Sequence, residues 1–371
     1  EGWSVEIEIP FEILRMSDPD QGAGLEFQRV IRRKNEFVFW NSWDRDFRFE
    51  EVSRAGHLVG LEEIQVAHRR RLKGYLLGGA DEPGRSGWEN RSTAGIDDFK
   101  WRLTPSLTAD LTLNTDFGEV EVDAQQANFT SPRDQLFFPE KREFFLEGAG
   151  IFEFGTERPR FGSAAPDLFV FFSRRIGLSS SGQEVPIHAG ARMTGKVGDV
   201  QLGLLNIQTG ALSVPGAVPG VTQRVAPDNN FGVVRAFREW ENRSRIGGIF
   251  VSRLNTNSPT DYNLTYGLDG RLGIGQDLTF DGWAGLTTTP LPSGTPDLRE
   301  GFNNGEYGYA GTGNFVTRNW EMSAGYRQIG SEFNPEVGFV NRSAYRHISG
   351  RVLYHLRTEG VDWFREFRPH I

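Results

Sequence analysis

Between residues 263 and 355, apolar and polar positions alternate almost without a break. Leu264, Tyr266, Leu268, Gly270 and Leu272 interleave with Thr265, Gly267, Asp269 and Arg271. The same rhythm runs through Leu278–Gly285, through Trp320–Arg327 and through Ile348–His355. Side chains on a strand point alternately to opposite faces, so each segment has one more apolar and one more polar face. The pattern predicts strands of about ten residues. Strands of a soluble sandwich usually run about five or six residues, whereas a membrane-crossing strand needs about nine to eleven. The expected fold is all-β: an incomplete antiparallel β-barrel of the outer-membrane type.

Residues 1–66 read differently. Trp3–Ile9, Leu25–Val30, Glu36–Trp40 and Gly56–Gly60 suggest short strands, too few to bury a core alone. They are expected to be the C-terminal part of a β-sandwich, followed by the barrel domain over 67–371. Within the latter, strands are expected at Arg70–Gly79, Lys100–Leu103 and Leu107–Phe117, with Val120 and Val122 continuing the last past a bulge. Gly79–Gly95 and Ala211–Asn229, rich in Gly, Pro and polar residues, predict loops. Ala189–Val197 and Val200–Gln208 flank Gly198-Asp199, a hairpin signal. Strands at 230–238 and 244–253 complete a set of about eleven or twelve, with long loops alternating with short turns.

Residues 124–187 break the rhythm. Phe137-Phe138-Pro139-Glu140-Lys141-Arg142-Glu143-Phe144-Phe145-Leu146-Glu147 is dense in charge and in aromatics, too charged for a lipid-facing strand. This segment is expected in the barrel lumen or at its mouth. Phe171-Phe172-Ser173-Arg174-Arg175 follows, and Arg174 and Arg175 are expected to pair there with Glu140, Glu143 or Glu147.

Composition narrows the chemistry. No cysteine is present among the 371 residues, which excludes disulfides and thiolate metal sites. A net charge of −8 argues against a nucleic-acid partner, because phosphate binding needs a basic surface. The basic run His68-Arg69-Arg70-Arg71 reads as a domain junction or a strand end near anionic headgroups. No stretch approaches the eighteen apolar residues of a membrane helix. The mean hydropathy of −0.45 is compatible with strands that are only half apolar. Beginning at Glu1 without an initiator Met, the chain reads as a fragment or processed piece.

Motifs for phosphate loops, zinc proteases, hydrolase elbows and dinucleotide folds are missing. The six histidines show no metal-ligand spacing, and no cofactor or metal is expected. Glu140, Glu143 and Glu147 are the candidates for a glycosidase-like carboxylate pair, although ion pairing with Lys141, Arg142 and the later arginines is the stronger reading. Trp40 and Trp43, near Phe37 and Phe39, form a candidate stacking platform for sugar rings or, equally, part of a sandwich core.

Several of these stretches together resemble a bacterial family of uncharacterised outer-membrane proteins. Its members join a carbohydrate-binding family 9-like domain to a C-terminal β-barrel. The resemblance is carried by Gly2–Phe11, Phe27–Glu36, Leu103–Thr108, Asn114–Phe117, Phe137–Gly148, Phe172–Gly177 and Phe333–Val340. It implies an outer-membrane location, lipid as a partner, and upstream and downstream segments completing sandwich and barrel. The expected function is non-enzymatic: binding, passing or anchoring a polysaccharide or oligosaccharide ligand. The alternative is a secreted or periplasmic glycan hydrolase using paired glutamates.

Overall fold

The computed structural model describes residues 4–9, 23–34, 36–41, 55–61, 70–81, 89–115, 138–155, 168–179, 182–215, 222–290, 306–357 and 366–371. The chain divides into two compact units, Glu1–Arg70 with Trp101–Thr108, and Arg71–Lys100 with Ala109–Ile371.

In the N-terminal unit, β1 (Ala23–Leu25) pairs with β4 (Gly56–Leu58), and β2 (Gln28–Ile31) with β3 (Glu36–Phe39), both antiparallel. Two expectations fail here. Residues 4–9 lie outside any strand and are exposed. The predicted strand across Leu25–Val30 is interrupted because the Glu26 carboxylate accepts the main-chain N–H groups of Phe27, Trp40 and Asn41. A side chain there takes the place of a ladder partner.

In chain order, the remaining strands begin with β5 (Arg70–Asp81), β6 (Glu89–Thr104), β7 (Leu107–Leu113), β8 (Leu168–Phe169), β9 (Ile187–Val197) and β10 (Val200–Thr209). Next come β11 (Leu212–Pro215), β12 (Thr222–Ala226), β13 (Asn229–Glu239), β14 (Arg245–Asn255), β15 (Tyr262–Ile274) and β16 (Leu278–Thr288). The chain ends with β17 (Tyr307–Val316), β18 (Trp320–Ile329), β19 (Phe339–Val340), β20 (Tyr345–Tyr354), β21 (Leu356–Arg357) and β22 (Glu366–Phe367).

Twelve of these strands form one antiparallel sheet in the order β20-β18-β17-β16-β15-β14-β13-β10-β9-β7-β6-β5. The fold is all-β as expected, and among the described residues no pairing joins β5 to β20, so the sheet is open. Connections alternate in length. Residues 105–106, 198–199, 240–244, 275–277 and 317–319 are the short turns at one end of the strands, and those at the other end are longer.

Two predicted loops contain strands. β6 already begins at Glu89, and Gly95 lies within it because a Cβ there would sit 2.5–2.6 Å from the carbonyl oxygens of Asn114 and Leu113. That glycine serves close backbone approach, not a turn. Residues 211–229 hold the β11–β12 hairpin, whose Pro215 ends an edge strand where no ladder N–H is needed. Val120 and Val122 lie outside the described residues.

The two faces of the sheet differ in an unusual way. On β15, Leu268 is 69% exposed and its neighbour Asp269 only 4%. Tyr266, Leu272 and Ile274 are exposed like Leu268, while Asn263 and Thr265 are buried like Asp269. On β7 the same inversion sets exposed Leu111 and Leu113 against buried Asp110 and Thr112. Against this inner face pack residues 138–155 and 168–179. Phe144, Phe145, Phe152, Phe154, Val170 and Ile176 join Leu205, Ile207, Val233, Ile249, Val251 and Trp283 in one apolar core. Each such ring or branched chain contributes about 1.5–3 kcal/mol by leaving water. The rhythm breaks within 124–187, where residues 138–155 and 168–179 fold over a sheet face instead of extending it. Residues 116–137 and 156–167 lie outside the described residues.

Candidate functional site: a buried charge network between sheet and inner segment

After Pro139 the chain makes one helical turn, Glu143–Leu146. That turn sends Phe144 and Phe145 into the core and leaves Glu143 and Glu147, four apart, on one side. Arg142, just before it, is almost fully buried. Its Nε and Nη2 donate to the two carboxylate oxygens of Glu140 at 2.8 and 2.7 Å. Nη1 donates to the Ile176 carbonyl at 2.8 Å and Nη2 to that of Ser173 at 3.0 Å. The Ser173 hydroxyl donates to Glu140 at 2.8 Å, and the main-chain N–H groups of Lys141 and Arg142 do so at 3.1 and 3.0 Å. Burial pushes the Glu140 carboxyl up, but the hydrogen bonds and charge of Arg142 and the Ser173 hydroxyl outweigh it, so Glu140 is held below the usual carboxylate range.

Arg174 and Arg175 reach main-chain oxygens. Arg174 donates to the Pro139 carbonyl at 3.1 Å and stacks over Phe138, and Arg175 donates to the Gly338 carbonyl at 3.1 Å. Both arginines have further partners besides these main-chain acceptors. Arg142 lies two residues from Glu140 and takes the bidentate position first. Glu140 and Arg142 pair with each other, whereas Glu143 and Glu147 reach cations on the sheet.

Glu143 accepts from Lys73 Nζ at 2.6 Å and lies 3.6 Å from Arg71. The Lys73 hydrogen bond holds its carboxyl below the usual range against a smaller opposing effect of burial. Glu147 pairs with Lys100, which is also 3.9 Å from Asp110. Arg192 donates through Nη2 and Nε to Asp110 Oδ2 at 2.7 and 3.1 Å, and through Nη1 to the carbonyls of Phe144 and Glu147. One sheet arginine thereby fixes the last main-chain acceptors of the helical turn. A cavity of about 70 Å³ lies among Lys73, Asp98, Arg142, Glu143, Glu147 and Arg192.

A second cluster sits further along the inner face. Arg235 donates to both oxygens of Asp269 at 2.5 and 2.8 Å, and Arg245 is 3.6 Å from Asp269. The Gly155 N–H donates to Asp269 at 3.4 Å, tying the inner segment to the sheet again. Asp98, Asp110, Arg192, Arg235 and Asp269 escaped the sequence reading as site residues. The available signal was a charge at the polar position of a strand whose other positions are apolar.

Trp40 is exposed, edge-on to Phe27 at 5.9 Å, with its ring lying across Gly56. Trp43 lies outside the described residues, so the structure describes one ring of the candidate platform. Among the described residues no cluster of His, Cys, Asp or Glu could hold a metal ion. His355 instead lies between Glu366, 2.7 Å from Nδ1, and Glu321, 3.0 Å from Nε2.

No curated protein matches this chain. Residues 69–206 match the family model described as Domain of unknown function (DUF5916). That span includes the helical turn, Arg142, Arg192 and their partners, so the charge network at the start of the sheet lies within the matched region.

Proposed function

We propose that this chain is part of a non-enzymatic outer-membrane β-barrel that binds, passes or anchors a polysaccharide-related ligand. One observation carries the reading. On β7 and β15, Leu111, Leu113, Tyr266, Leu268, Leu272 and Ile274 face solvent, while Asp110 and Asp269, with their partners Arg192 and Arg235, are buried on the other side. In water this inversion exposes the wrong face, whereas in a bilayer it is the stable arrangement. The outer face adds aromatic rings at two levels. Trp320 packs with Tyr354 near the short turns, and Tyr309 stacks with Tyr326 toward the long connections. From Trp320 to Tyr326 the strand rises about 20 Å along its own axis, which a barrel tilt reduces to about 15 Å and so keeps both rings within an apolar band about 25 Å tall. Short turns at one end and long connections at the other fit the same class.

The segment 138–179 then restricts the lumen, and glycan contact falls to the long connections or to Trp40. Hydrolysis by paired glutamates fits the geometry less well. A glycosidase acid needs a carboxyl raised toward neutrality, and Glu140 and Glu143 both move the other way. The test is heat-modifiable gel migration of the full-length protein from outer-membrane fractions, followed by liposome swelling with oligosaccharides of graded size. A detergent-dependent folded band that shifts on boiling is the expected result. A soluble, non-shifting protein overturns the proposal.

A further inference from the structure

The cross-strand register places Leu268, Ala284, Tyr309, Gln328 and Arg346 in one row across five strands of the outer face. Small Ala284 lies low between Tyr266 and Leu268 on one side and Tyr309 on the other. The result is a mostly apolar groove of about 730 Å³ with Gln328 and Arg346 at one end.

The polar end has a definite hydrogen-bond sense. Tyr309 and Tyr326 hydroxyls both donate to Gln328 Oε1, at 3.0 and 2.9 Å, which occupies both of its lone pairs. Gln328 Nε2 donates to the Tyr307 hydroxyl at 2.9 Å. The donors left to face a ligand are the Tyr307 O–H, the second Nε2 hydrogen and the Arg346 guanidinium, beside the remaining lone pairs of the tyrosine oxygens. Arg346 is exposed and makes no ion pair among the described residues. An apolar trough ending in donors and one cation is complementary to an acyl chain followed by ester and phosphate oxygens.

We propose that this groove is a binding site for a phosphate-bearing membrane lipid, with one acyl chain over Ala284 and the phosphate at Arg346. The site rests on the bilayer-spanning reading above and names a partner for that surface. Bulk lipid would cover the rest of the outer face without preference, whereas this row selects by headgroup charge.

The experiment uses the full chain folded in detergent, mixed with phosphatidylglycerol or phosphatidylcholine of identical acyl chains, with retained lipid counted by native mass spectrometry. The wild type is expected to retain the anionic lipid about fivefold more, the effect of one cation at a headgroup. Arg346→Gln, at an exposed position, should equalise the two lipids, and Ala284→Phe should reduce retention of both. Arg238→Gln, an exposed arginine outside the groove, should change neither. Unchanged preference in Arg346→Gln overturns the site, as does displacement of the lipid by inorganic phosphate at equal concentration. A wild type that shows the heat shift but no preference overturns the site alone. A wild type with no heat shift overturns the bilayer reading and the site with it.

Discussion

Arg192 on β9 and Asp110 on β7 face each other across neighbouring strands, with Nη2 2.7 Å from Oδ2 and almost no solvent on either side chain. Breaking a buried pair leaves an uncompensated charge and costs about 3–5 kcal/mol. The two single variants should differ. In Asp110→Leu, Arg192 keeps the carbonyls of Phe144 and Glu147, whereas in Arg192→Leu, Asp110 keeps only Lys100 at 3.9 Å. Urea midpoints of the folded band should therefore fall furthest for Arg192→Leu, and the double variant should recover part of the loss. Equal, additive losses would count against a coupled pair.

Glu140 gives the inner segment a pH dependence. Its folded pKa lies below the ordinary value of 4.5, so the unfolded state binds its proton first as pH falls. The stabilisation is complete above that ordinary value and disappears as pH drops through the folded pKa. Unfolding midpoints of wild type and Glu140→Gln should differ at pH 6 and converge in stronger acid. A gap that persists below both pKa values would remove Glu140 ionisation as the cause.

Leu268 distinguishes lipid from water. It sits midway along β15 on the exposed face. Leu268→Arg should lower the folded fraction in vesicles by about 2–4 kcal/mol if that face meets hydrocarbon. A soluble sheet would accept the arginine with little change, so a neutral result in a folding assay contradicts the membrane reading.

Gly155 should resist substitution. Its φ is +76°, and a Cβ there would lie 2.7 Å from Trp283 Cγ. Gly155→Val should cost about 1–3 kcal/mol from backbone strain, with the clash added. Gly150, where an added Cβ meets nothing within 4 Å, is the control. Matching thermal midpoints for the two valine variants would show that Trp283 gives way freely.

Most strands were legible because a two-residue alternation is a local property of the chain. β9, β10, β13–β16 and β18 lie close to the predicted ranges. Glu89–Gly95 and the β11–β12 hairpin were not legible. Their polar and glycine-rich sequences look like loops until pairing partners supply the hydrogen bonds. The main-chain acceptors of Arg174 and Arg175 at Pro139 and Gly338 were not legible either, the latter being far away in sequence.

The sequence alone determined the all-β class, the strand rhythm and the interruption at 124–187, because each follows from side-chain period and local composition. Only the tertiary structure decided which face of the rhythm is buried, and that Asp110 meets Arg192 and Asp269 meets Arg235. Alternation states that two faces differ, and it is symmetric under exchange of inside and outside. Packing of Phe144, Phe152 and Phe154 against one face removes that symmetry, and with it assigns the charges to the interior.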